Sequence, residues 1–188
     1  MKKAILCALM ASIAGALMAG PFGLEMGMTL NEVAESCGGR EPVDIGGGRY
    51  IVTPQKANPL FSECIAWISE NEGLFALRAN GEDVLSEPSG EELKKEFSAV
   101  QQKLEMVYGS AKLIDESKAK GESWMQELSS GQRVLEADWF PECGDVEWVC
   151  LVAEGTGSSA YLFVQYTFIN FQSAQQESQQ PSEDEDVF

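Results

Sequence analysis

The sequence predicts an α+β protein in which helices pack on an antiparallel sheet. Three observations carry this. Apolar residues recur at helical spacing behind capping residues in two segments. Alternating apolar runs are joined by short links rich in Gly, Pro and Asn. Helical and extended segments also come in blocks, helix then strands, twice over, rather than in the strict alternation of a parallel sheet. The 188 residues, 44% hydrophobic and 23% charged, suffice for one ordinary domain with a real core.

Lys2 and Lys3 precede an apolar stretch from Ala4 to Ala14 that is too short to span a bilayer. Ala14-Gly15-Ala16 then offers small residues for cleavage, with Leu17-Met18-Ala19 as a second choice. This three-part pattern predicts a signal peptide over residues 1–19, cleaved near 16 or 19, in preference to a buried N-terminal helix. The expected location is therefore periplasmic or secreted. Cys7 leaves with the signal, and no Cys follows the apolar stretch to carry a lipid, so no stable membrane insertion is expected after cleavage.

In the remaining chain, Thr29 and Glu32 have capping-box spacing, and Leu30, Val33, Ala34 and Cys37 share the face of a helix that Gly38-Gly39 stops. Short strands follow over Tyr50 to Thr53, Phe61 to Ser69 and Leu74 to Ala79, with Asn80-Gly81 read as a turn. A longer helix opens at Ser89 and Glu92 with the same capping device. Leu93, Phe97, Val100, Leu104 and Val107 form its apolar stripe, Glu91 and Lys95 pair outside, and Tyr108-Gly109 ends it. A weaker helix covers Ser123 to Leu128. Val134 to Phe140, Val146 to Ala153 and Tyr161 to Phe171 complete a second antiparallel set. Residues 20–171 thus form one domain, and its halves, about 23–86 and 88–171, suggest a duplicated helix-plus-three-strand unit without a residue-by-residue repeat. Residues 172–188 are rich in Gln, Ser, Glu and Asp and read as a disordered acidic tail.

Gly27-Met28-Thr29, Glu32-Val33, Gly38 and Pro42 resemble the opening motif of exported bacterial proteins of the SmpA/OmlA type. The duplicated helix-then-sheet order is similar to the β-lactamase-inhibitor-protein-like fold. Gly23-Leu24-Glu25-Met26-Gly27-Met28, with Tyr108-Gly109 and the terminal strand Tyr166-Thr167-Phe168-Ile169-Asn170, also resembles a group of uncharacterised exported bacterial proteins opening with Gly-Leu-x-x-Gly-Met. The resemblance implies a non-catalytic envelope protein that binds other proteins. It supplies no catalytic residues, and the missing lipidation Cys departs from the SmpA/OmlA pattern.

The chemistry available is narrow. Thirteen Lys+Arg against 30 Asp+Glu give a net charge of −17, which speaks against nucleic acid or anionic lipid as partner. The absence of His removes Ser-His-Asp triads, Cys-His dyads and His-ligated metal sites, and no cofactor or metal is expected. Four cysteines follow the signal. Cys37 and Cys64 are the favoured disulfide pair, with free buried thiols as the alternative, while an extended segment would hold Cys143 and Cys150 too far apart. Gly46-Gly47-Gly48 precedes a strand and reads as a loop rather than a phosphate cradle. Ser182-Glu183-Asp184-Glu185-Asp186 lacks the glycine turn of a calcium loop and reads as solvated tail.

Phe61–Ser69 and Tyr161–Phe171 carry apolar residues on both faces, more than a sheet covered on one side requires. Internal packing explains the surplus, or else a binding surface does, with Trp67, Trp148, Tyr161 and Phe163 as candidate interface residues. The leading expectation is an exported, non-catalytic interaction module of the cell envelope, its partner an envelope protein. The rival is a small periplasmic hydrolase using the paired carboxylates Glu136 and Asp138, which need no His.

Overall fold

The computed structural model of the chain describes residues 20–179 other than 57, 85, 86, 119, 120, 157 and 158. The expected signal peptide and the acidic run at Ser182 to Asp186 lie outside the described residues. Eight strands form one antiparallel sheet: β1 (Val43–Asp44), β2 (Arg49–Val52), β3 (Phe61–Ser69), β4 (Gly73–Gly81), β5 (Lys112–Ser117), β6 (Arg133–Trp139), β7 (Val146–Thr156) and β8 (Ser159–Phe168). Among the described residues, four α-helices accompany it: α1 (Leu30–Ser36), α2 (Glu91–Tyr108), α3 (Trp124–Ser129) and α4 (Phe171–Gln179). The protein is α+β.

The strand order is β1-β2-β3-β4-β8-β7-β6-β5. Each half is a meander whose last strand lies at the centre, where β4 and β8 pair antiparallel. Each unit therefore holds four strands rather than three. The two missed strands are those with least to bury. β1 has two exposed residues, and β5 is a charged edge in which only Ile114 is half-buried. Charge on an edge strand discourages pairing with another chain, and it also erases the alternation by which a strand is read.

One face of the sheet carries the core. Cys64, Ala66 and Ile68 of β3 join Leu77 and Ala79 of β4, Leu162 and Val164 of β8 and Leu151 of β7. Val33 of α1, Phe97 and Val100 of α2 and Met125 and Leu128 of α3 close over them. The α2 stripe ends a turn early, since Val107 is exposed.

Three one-residue irregularities decide which side chains join that core. Ser62 is extra between the pairs Phe61↔Gly81 and Glu63↔Asn80, so Phe61 turns to the helix side. Phe75 is extra between Ala76 and Leu74, and Glu147 between Val146 and Trp148. A bulge of this kind breaks the two-residue period of a strand. Asn80-Gly81 is not a turn, because both residues pair within β4.

Helix starts follow the capping chemistry in part. Thr29 accepts from the Glu32 amide while the Glu32 carboxylate accepts from the Thr29 amide at 2.8 Å. Thr29→Ala is expected to cost about 1 kcal/mol in chemical denaturation. The start of α2 differs. Gly90, at φ +69°, is its cap and no side chain caps it, because the Trp124 ring lies where a Cβ would stand. Lys94 rather than Lys95 pairs with Glu91, at 3.5 Å.

Cys37 and Cys64 are both buried free thiols, which corrects the expected disulfide. Burial first, then the neighbouring Cys37, pushes the Cys64 thiol up to about 11, away from the thiolate that disulfide chemistry requires. Cys143 is exposed in the β6–β7 link, while Cys150 is buried in β7.

The segment from Gln172 onward opens as helix rather than disordered tail. Phe171 meets the Phe75 ring at 5.8 Å between centroids, and Ala174, three residues on, is fully buried. The Asn170 amide donates to the carbonyls of Glu72 and Leu74, and Glu177 accepts from Asn71. Composition alone hides these few anchors.

Candidate functional site

Among the described residues, no helix covers the other face of the sheet over most of its width. Register aligns its side chains in rows across the strands. One row runs Ile51, Ile65, Arg78, Gln165, Cys150, Asp138 and Lys112. The next runs Glu63, Asn80, Phe163, Val152, Glu136 and Ile114. Tyr161 and Glu154 face each other beyond it, and Trp67, Ala76, Thr167 and Trp148 lie on the opposite side.

All four aromatic candidates therefore share this face, each half-buried. Trp148, Tyr161 and Phe163 stand clear of the helices. Trp67 does not: it packs with Phe75, Ala76 and Phe171 beneath α4. Its surplus apolar area is internal packing.

At the centre, the Arg78 guanidinium lies 3.6 Å from the centroid of the Phe163 ring. It donates to Asn80 Oδ1 at 2.8 Å, to Tyr161 Oη at 3.0 Å and to Glu154 Oε2 at 3.2 Å. Tyr161 donates to the same Glu154 oxygen at 2.8 Å, and Asn80 donates to Glu63 at 2.9 Å. With Arg78 and Glu154 both partly exposed, the ion pair adds little stability. What the network supplies is order: a planar cation stacked on an aromatic ring, with its donors already directed.

Beside it stands the carboxylate pair. Asp138 is buried and accepts from the Trp148 indole N–H at 2.9 Å, which fixes that ring across the strand boundary. Burial, then the Asp138 charge and hydrogen bond, raise the proton affinity of Glu136, with Lys112 opposing. The Cys150 thiol, packed against the same pair, is pushed up to about 12, chiefly by burial and then by the two carboxylates. A thiol so held is protonated and is not a nucleophile.

A sign follows for pH. Glu136 binds its proton more tightly folded than unfolded, so the stability it contributes is full below its unfolded value and is lost as pH rises through its raised folded value. Glu136→Gln should flatten that decline and melt above wild type near neutral pH. A thermal-melting series across about pH 4 to 8 reads both effects.

Sequence reasoning missed Arg78, Asn80, Gln165 and Glu154 as members of the face. Reading Asn80-Gly81 as a turn cut β4 short, although Arg78 and Asn80, polar at i and i+2, already marked one side of a strand. Among the described residues no group of three or more Cys, Asp or Glu could hold a metal ion, and no helix is long and apolar enough to cross a membrane. No protein family, curated protein or solved structure matches the chain.

Proposed function

We propose that the chain is an exported, non-catalytic interaction module of the bacterial cell envelope, which binds another envelope protein through the open face of its sheet. One observation carries this reading. Trp148, Tyr161 and Phe163 present half-exposed rings on a face that the core does not need, around a fixed Arg78. Trp, Tyr and Arg are the residue types that dominate binding energy, and a polar rim of Glu63, Glu154 and Lys112 suits an interface. The resemblance to exported binding proteins, and to the inhibitor-like fold, agrees with it.

The second reading, a hydrolase, is favoured by Glu136 and Asp138 lying close enough to share a proton. Against it, neither residue lines any of four surface cavities of 170 to 520 Å³. Affinity capture from envelope extract, run beside a hydrolase substrate panel, separates the two. The binding reading expects a specific envelope protein that Phe163→Ala fails to retain, and no turnover. Turnover abolished by Glu136→Gln or Asp138→Asn would replace it with the hydrolase.

A further inference from the structure

On the helix side of the sheet, a cavity of about 510 Å³ lies between α2 and the outer end of β3 and β4, and its Gly81, Glu82 and Asp83 also border a groove beside Asn80 and Tyr161 on the open face. That volume is within the range of small-molecule sites. Its floor is apolar, made by Phe61, Val100 and Leu162 of the core with Val84 beside them. The Ser62 bulge is what brings Phe61 to this side.

The walls are acidic on two sides. Glu92 and Glu96 stand one turn apart on α2, and Glu82 and Asp83 face them from the exit of β4. No Lys or Arg among the described residues lines the cavity. Among the described residues, none of the four carboxylates has a side-chain hydrogen bond or ion pair. Glu92 and Glu96 are like charges at a spacing that brings them together on the helix surface. The β4 wall is held in place, since Val84 exchanges backbone hydrogen bonds with Ala160 at 2.7 and 3.1 Å.

We infer that this cavity binds a small organic ammonium ion with a hydrocarbon body. The apolar floor accepts the hydrocarbon, and the opposed carboxylates attract the ammonium at the mouth. A neutral analogue would gain only the floor, and an anion would be repelled. Because the carboxylates are at the rim, the charge contribution is screened by salt.

The test titrates the protein with 4-phenylbutylamine, 4-phenylbutan-1-ol and 4-phenylbutyrate at low salt, followed by amide chemical shifts. The amine should bind about tenfold more tightly than the alcohol, a difference of about 1.4 kcal/mol, and the acid should not bind. Shifts should map to Phe61, Val84 and Val100. Glu92→Gln with Glu96→Gln, both on the helix surface, should weaken the amine severalfold toward the affinity of the alcohol, Glu82 and Asp83 retaining the rest. Ala99→Trp, from an exposed position on the cavity wall, should block both ligands while melting as wild type does. Equal affinity for amine and alcohol would overturn the inference, as would shifts elsewhere or amine binding unchanged in the Gln variant. The variants in this test are all on α2, whereas Trp148 and Phe163 lie on the other side of the sheet, so either site can fail alone.

Discussion

Trp139→Ala is expected to destabilise the protein by about 3–5 kcal/mol. The ring ends β6, is 1% exposed, and belongs to the main core. Its indole N–H donates to the Gly109 carbonyl at 2.9 Å, just past the last residue of α2. The residue thus joins the C-terminus of the longest helix to the second half of the sheet. Truncation leaves a void that close-packed neighbours fill only in part, and it strands a carbonyl that had a partner. Trp139→Phe should keep most of the apolar contact and lose the hydrogen bond, at about 1–2 kcal/mol. Urea titration of the three proteins measures the series. A loss of less than about 1 kcal/mol in Trp139→Ala would mean that the ring is not packed as described.

Phe163→Ala is expected to weaken partner binding by about 2 kcal/mol or more, roughly thirtyfold, with the fold retained. The half-buried ring lies under Arg78 and near Tyr161, whose ring centroid is 6.4 Å away. Its removal costs the free protein a cation–π contact of about 0.5–1 kcal/mol, much less than a core truncation. The binding loss should be larger because Arg78 would no longer be held flat for the partner. Trp148→Ala should act in the same direction, since Asp138 fixes that ring. Lys103→Ala, exposed on α2 on the other side of the sheet, should leave binding unchanged. A binding assay on captured partner reads all three. Equal retention by Phe163→Ala and wild type would remove Phe163 from the interface.

How much of this was legible depended on where each residue's burial was decided. Phe61 to Ser69 is read correctly because Cys64, Ala66 and Ile68 alternate cleanly against a covered face. The Thr29 cap is read correctly because both of its hydrogen bonds are local. The cap of α2 is misread because a distant residue, Trp124, decides it. β5 is missed because an edge strand has little to bury, and α4 because two contacts, Phe171 and Ala174, anchor nine mostly polar residues. Surplus apolar area singles out the aromatic candidates, yet alternation alone leaves two faces open. Register resolves them, placing Trp148, Tyr161 and Phe163 on the open side and Trp67 beneath α4. Arg78 escaped notice because its significance lies in the ring beneath it, which is 85 residues away in the chain.

The claim that binding occurs on the open sheet face is tested most directly by placing a photo-crosslinking amino acid at single positions. One set replaces Val152, Tyr161 or Phe163 on that face, and the other replaces Ser98 or Lys103 on α2. After irradiation in envelope extract, the account predicts one shared crosslinked partner from the sheet positions and none from the helix positions. Crosslinks to a common partner from Ser98 and Lys103, with none from the sheet, would contradict it.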